Sequence, residues 1–304
     1  MQTVESVVSI SIKNILLATD FSPGSEVALQ HARVLGIRHK ANVHTLHVSA
    51  ADCYQLLDPE AFAVTFDEWT ESEKNPIETL RGLMQGLPSQ VPLVPGPVWK
   101  VVNEIVQRNQ IDLLVLFSHG RQGIPRLMLG SVAEEMLRNV ACPVLTVGPD
   151  VRRCFTSDLK VKNVLLATHF EPNSIAPNHA RWLCNEFRAQ LTVLHVVDDQ
   201  HWGDKTDAQL VARLVDTVPD DGSLWRKPVL RLASGLPSAR ILELAQSSCA
   251  DLIVLGARHP EPARINSHLP WATAARVIAG APCPVLTVRE REDYPSYGNL
   301  QKHP

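Results

Sequence analysis

The segment with the most chemistry in it runs Ser118-His119-Gly120-Arg121-Gln122-Gly123-Ile124-Pro125-Arg126-Leu127-Met128-Leu129-Gly130-Ser131-Val132. An apolar run, Asp112 to Phe117, precedes it, and an amphipathic stretch, Ser131 to Asn139, follows. That order predicts a strand, a glycine-rich loop and a helix. Glycine removes the Cβ that keeps main chain away from a ligand, and a helix N-terminus offers unpaired N–H donors with positive partial charge. Gly120, Gly130 and Ser131 therefore have the makings of an anion cradle, with Ser118 and His119 in the same loop. Ser131 can add a hydroxyl. Arg121 and Arg126 could add charge or simply be solvated. What the segment lacks is a catalyst. The sequence has no Gly-x4-Gly-Lys-Ser/Thr loop, no Gly-x-Ser-x-Gly elbow and no paired acidic metal site, and its 12 histidines show no metal-ligand spacing. A phosphate cradle without a positioned water or a strong Mg²⁺ site implies binding, with slow hydrolysis at most. No residue is assigned a catalytic or metal-ligating role.

Other elements must bring partners to this loop. Ile12 to Thr19 is a nearly continuous apolar run, as in a strand covered on both faces. Asp20-Phe21-Ser22-Pro23-Gly24-Ser25-Glu26 then opens a helix, with Ser22 as cap, Pro23 at the first helical position and Glu26 in the positive first turn. That helix is expected to reach about Ile37, with Val27, His31, Val34 and Leu35 on one stripe. Ala41 to Val48 reads as a second strand, Pro59 to Leu87 as mainly helical, Val91 to Val94 as a short edge strand and Val98 to Arg108 as a helix. Pro143 to Val147 closes the series. Strands alternating with helices predict a doubly wound α/β fold with a parallel sheet, which binds ligands beyond the carboxyl ends of its strands, at the point where the winding reverses. Asp20, Val48 and the loop from Ser118 to Ser131 all follow strand ends, so they can share one crevice.

The same series is written twice. Asn14-Ile-Leu-Leu-Ala-Thr-Asp-Phe21 returns as Asn163-Val-Leu-Leu-Ala-Thr-His-Phe170, an offset of 163 − 14 = 149. Cys142-Pro-Val-Leu-Thr-Val147 returns as Cys283-Pro-Val-Leu-Thr-Val288, an offset of 283 − 142 = 141. Leu46-His47-Val48 and Ile111 to Leu116 recur between them, as Leu194-His195-Val196 and Ala250 to Leu255. The period is domain-sized, so two tandem copies of one domain are expected. We place them at residues 1–150 and 158–290, joined by a linker from about Gly148 to Asp158 and followed by a loose tail, 291–304. His47 and His195, repeated at strand ends, are expected to be structural, each with a backbone partner.

With 304 residues, each half can bury its own core. The net charge of −3 comes without a basic block, which argues against nucleic acid or an anionic membrane as partner. Apolar runs are strand-length rather than span-length, and the N-terminus lacks the basic region of a signal peptide. Six scattered cysteines without a Cys-x-x-Cys pair fit reduced thiols in a cytoplasm. Cys142 and Cys283, just before apolar strands, read as small buried hydrophobes.

Across nearly all of both halves, from Asn14 to Val147 and from Asn163 to Val288, the chain resembles a tandem universal stress protein. That resemblance implies a Rossmann-like sheet of five parallel strands per domain and an adenine-nucleotide signature, Gly-x2-Gly-x9-Gly-Ser/Thr. It implies ATP or AMP as ligand, with Mg²⁺ as an optional companion of the phosphates. Asp20 would meet the ribose or adenine side, Val48 the adenine through its backbone, and Gly120, Gly130, Ser131 and Val132 the phosphates. Phe117 departs from the signature, standing where its first glycine is expected. Its side chain either turns into the core and leaves the backbone path open, or fills the pocket. The second copy departs further. His169 replaces the residue matching Asp20, no glycine follows Gly256 at the required spacing, and Trp271-Ala272 stand opposite Gly130-Ser131. Pro177 falls where the first helix of that copy should be under way. The second cradle is expected to be lost, unless His169, Arg258, His259 and Arg264 form a different anion site. The resemblance also implies pairing through last strands, hence an intramolecular pseudo-dimer that could dimerise further. The expected function is stress-response regulation through adenine-nucleotide binding in the first copy. Two alternatives stand beside it: a nucleotide-free scaffold acting through protein contacts, and a slow ATPase.

Overall fold

The computed structural model describes residues 10–20, 22–46, 98–118, 129–151, 160–170, 174–197, 207–219, 222–257 and 270–289. In the first copy these form β1 (Asn14–Ala18), α1 (Pro23–His39), β2 (Asn42–Leu46), α2 (Val98–Arg108), β3 (Leu113–Phe117), α3 (Ser131–Asn139) and β4 (Val144–Val147). The second copy supplies β5 (Asn163–Ala167), α4 (Ala176–Phe187), β6 (Gln190–Val197), α5 (Asp207–Thr217), β7 (Val229–Ser234), α6 (Pro237–Ser247), β8 (Leu252–Ala257), α7 (Pro270–Gly280) and β9 (Val285–Arg289). Its five strands are the expected number. Four strands of the first copy lie among the described residues; the expected strand Val91–Val94 and helix Pro59–Leu87 fall outside them.

The strands make one nine-stranded sheet in the order β2-β1-β3-β4-β9-β8-β5-β6-β7. Within each copy the pairs are parallel, and the copies join where β4 meets β9 antiparallel, with Leu145 opposite Leu286. An apolar last strand left at a sheet edge is an association hazard, and this pairing covers both. The strands are apolar along their whole length because helices cover both faces. One core layer holds Ile15, Leu17, Leu113 and Val115 under α1, and Leu166 and Leu191 with Leu210 and Leu214 of α5 in the second copy. The other holds Leu114, Leu116, Met136 and Leu137 with α2 and α3, and Ile241, Ile253, Val277 and Ile278 with α6 and α7.

Repeated sequence produces repeated bonds. Asp112 Oδ2 accepts from the N–H groups of Lys13 and Asn14 at 2.7 and 2.9 Å, and Asp251 Oδ2 accepts from Lys162 and Asn163 at 2.8 and 3.0 Å. Each aspartate thus fixes the entry of the neighbouring strand and not merely its own. His195 Nδ1, facing the Thr168 carbonyl at 2.9 Å, donates to it, the backbone role expected for this histidine; His47 lies outside the described residues. Cys142, Cys184 and Cys283 are buried, and burial pushes each thiol up to about 12.

The copies also touch beyond the sheet. Arg38, in the last turn of α1, pairs with Glu186 of α4 at 2.9 Å and lies 4.5 Å over the Phe187 ring. At the other face Arg289, ending β9, donates to the carbonyls of Arg138 and Val140 and so caps the C-terminus of α3 across the seam.

Candidate functional site

In the first copy β1 continues through α1 to β2 on one side, while β3 continues through α3 to β4 on the other. The winding reverses between β1 and β3, so the crevice lies beyond Ala18 and Phe117, flanked by the N-termini of α1 and α3. Those two helix ends differ. At α1 the donors are used internally: Ser22 Oγ accepts from Ser25 N–H at 3.3 Å, Asp20 Oδ1 accepts from Ser22 N–H at 3.0 Å, and Thr19 Oγ1 donates to Ser25 Oγ at 3.1 Å. Cap, proline and Glu26 stand where the sequence places them. At α3 the N-cap is Gly130, in extended conformation with no side chain to accept from the first turn. The N–H groups of Ser131, Val132 and Ala133 open the helix, Ser131 and Val132 being exposed. Of the two ends, only that of α3 leaves its first-turn donors without a side-chain cap.

Asp20 is exposed at the end of β1, with one carboxylate oxygen in the turn. Ser118 is buried, and its N–H donates to the Val147 carbonyl at 2.9 Å, so that donor belongs to the sheet rather than to a ligand. Val48, His119 and Gly120 lie outside the described residues, as do Arg121 and Arg126. Asp20, Ser118, Gly130, Ser131 and Val132 are thus the expected site residues whose positions are described.

Phe117, where the first glycine of the signature is expected, is half-buried at the end of β3. Its ring packs against the core layer under α1. It lies so close to α1 that a Cβ on Gly24 would fall 2.1 Å from the ring. The side chain therefore points to the α1 face, whereas α3 covers the opposite face. Sequence reasoning missed this pair. A glycine in the first turn of a helix, two residues after its cap, was the available signal of close approach.

The second copy is built differently at the same place. Phe170 takes a left-handed backbone, φ 64°, rare for an aromatic residue. Its ring is buried between His195, 4.0 Å away, and the Arg213 guanidinium, 4.3 Å away. Helix α4 starts at Ala176 without a side-chain cap, and Pro177 stands in its first turn, so this helix begins late, as the proline implies. Helix α7 begins at Pro270, so the position opposite Gly130 lies inside the helix rather than at its cap. Residues 258–269, including His259 and Arg264, lie outside the described residues. Among the described residues no cluster of three or more His, Cys, Asp or Glu could hold a metal ion, and no helix is long and apolar enough to cross a membrane.

Two doubly wound α/β units joined through their last strands, one with an uncapped helix end at its switch point, define the class. The universal stress protein family matches residues 11–148 and again 160–289, and the chain belongs to that family as a tandem two-domain member. It is 28% identical over 156 residues to universal stress protein MJ0577 of Methanocaldococcus jannaschii, covering 46% of this chain and 96% of that protein. It is 30% identical over 138 residues to universal stress protein A homolog 1 of Coxiella burnetii, covering 44% of this chain and 95% of that protein. A solved universal stress protein from Archaeoglobus fulgidus shares the fold over 91% of this chain and 98% of its own, with TM-score 0.66 and 21% identity.

Proposed function

We propose that the first copy binds an adenine nucleotide, ATP or AMP, and that the chain acts as a stress-response regulator through this binding. The observation that carries the reading is the N-terminus of α3, uncapped at Gly130 beside the switch point. It supports phosphates on the N–H groups of Ser131 and Val132 and on the Ser131 hydroxyl, with Gly120 and His119 completing the loop. Asp20 and Val48 are assigned to the ribose and adenine, and Ser118 supports the strand end. Mg²⁺ would accompany the phosphates rather than occupy a protein site. The second copy, whose α7 has the position opposite Gly130 inside the helix rather than at its cap, serves as the structural half of an intramolecular pseudo-dimer, residues 1–150 against 158–290. Scattered thiols support a cytoplasmic setting.

Equilibrium dialysis with ATP tests this. About one nucleotide per chain is expected, and Gly130→Trp, which fills the α3 cap, abolishes it. No uptake at millimolar ATP contradicts the proposal. A scaffold blocked by Phe117 would instead acquire binding with Phe117→Gly.

A further inference from the structure

The sheet ends at β7 in the second copy. This strand lies parallel to β6, with Leu194 opposite Arg231, and just past its end the Gly235 N–H donates to the Val197 carbonyl at 3.0 Å. Main-chain groups alternate in direction along a strand, so Leu230, Leu232 and Ser234 turn theirs away from β6. The N–H groups of these three residues have no partner among the described residues. Exposed large apolar side chains gather around the same edge. Six occur among the described residues, and four of them, Val211, Val215, Trp225 and Leu236, lie on α5, on the stretch leading into β7 and just past its end. Trp225 is 53% exposed and yet fixed: its N–H donates to Asn185 Oδ1 at 3.2 Å, and the Arg188 guanidinium lies 4.8 Å over its ring. The edge is also cationic. Arg188, Arg226 and Arg231 are exposed, and among the described residues none of the three pairs with a carboxylate. Arg231 reaches only the neighbouring Leu230 carbonyl, at 3.5 Å.

An open edge invites any strand, and charge placed on it turns like-charged strands away. A second copy using this edge would set its own arginines against these, which opposes self-pairing. We propose that β7 is a docking edge for a partner protein, which adds an extended acidic segment as a further strand. The main chain of that segment bonds to Leu230, Leu232 and Ser234, its carboxylates meet Arg226 and Arg231, and an apolar side chain rests on Trp225. In strand addition the backbone bonds supply affinity and the flanking side chains select the sequence. Arginine suits the selecting role, because its planar fork meets a carboxylate through two parallel N–H bonds. Tryptophan and arginine are also the residue types that carry most binding energy at interfaces. The edge is separated from the crevice between β1 and β3 by the rest of the second copy's strands, so docking leaves that crevice open.

A fluorescein-labelled peptide of Glu-Val repeats, followed by anisotropy on the full chain, is the probe. It is expected to bind about tenfold or more tighter than the matching peptide of Lys-Val repeats, the span of one charge-assisted hydrogen bond. Methylating the backbone amides of the Glu-Val peptide removes its main-chain donors and should weaken it about tenfold or more. Arg226→Glu with Arg231→Glu, both at exposed positions, should turn the preference towards Lys-Val, and Trp225→Ala should weaken both peptides. Equal affinity for the two peptides in the unmodified chain overturns the proposal without recourse to any variant. So does the absence of binding by either, or binding that survives methylation. A dimer of the unmodified chain that the Glu-Val peptide dissolves would also contradict it, by giving the edge to a second copy.

Discussion

Gly24→Ala offers a sharp test of where Phe117 lies. The new methyl would sit 2.1 Å from Cε1 and Cζ of the ring and 2.6 Å from Cδ1, against 3.4 Å or more for ordinary contact. Either the ring leaves its place against Gly24, or the first turn of α1 moves and strains the Ser22 cap. Overpacking of this kind costs about 1–3 kcal/mol. Alanine in place of glycine returns at most about 1 kcal/mol of helix propensity, less in the first turn. The net expectation is a loss of about 1–2 kcal/mol, read as a lower urea midpoint at unchanged slope. With Phe117→Ala in place the clash disappears, and Gly24→Ala should become neutral or stabilising by a few tenths of a kcal/mol. The double-mutant cycle therefore carries a coupling of about 2 kcal/mol. If Gly24→Ala is as stable as the parent while Phe117 is present, the ring is not on α1, and the argument that it avoids the α3 side fails.

Three further outcomes follow from the same bonds. His31 is fully buried, its Nδ1–H donating to the Val27 carbonyl at 2.7 Å, and burial lowers its pKa from 6.5 to about 4. Between those values the unfolded chain takes up a proton that the folded chain refuses. Stability should fall as pH drops from 6.5 towards 4, by about 3 kcal/mol in all, and His31→Leu should flatten that stretch of a urea-midpoint profile. Among the described cysteines, Cys249 is exposed while Cys142, Cys184 and Cys283 are buried with thiols pushed up to about 12. Alkylation of the native protein read by peptide mass spectrometry should mark Cys249 and spare the other three. Arg289→Ala removes the cross-seam cap of α3 and should lower stability by about 1–3 kcal/mol, measured by thermal melting.

Much of the framework was legible because strand and helix signals in this chain agree with one another. Helices Val98–Arg108 and Ser131–Asn139 begin and end where periodicity and caps place them. The Ser22-Pro23 start of α1 is equally plain, and Pro177 marks the late start of α4. The repeated Cys-Pro-Val-Leu-Thr-Val block marked the two strands that meet at the seam. The stripe on α1 was half read. His31 and Leu35 are buried as expected, but Ala28, Leu29 and Ala32 form more of the core-facing side than Val27 and Val34 do. The site was less legible. Asp20 and the Gly130-Ser131 cap could be named from spacing, because a helix start is local. That Phe117 rests on Gly24, or that Phe170 is held between His195 and Arg213, depends on residues dozens of positions apart, and no local pattern carries it. The same holds for Arg289, whose partners on α3 lie about 150 residues earlier.

Native mass spectrometry of the protein purified without added ligand, then titrated with ATP, puts the central claim to the most direct test. A shift by the mass of a single adenine nucleotide per chain, absent in Gly130→Trp and retained in Phe170→Ala, is the expected result. Two nucleotides per chain, or one that survives Gly130→Trp, would contradict the assignment of binding to the first copy.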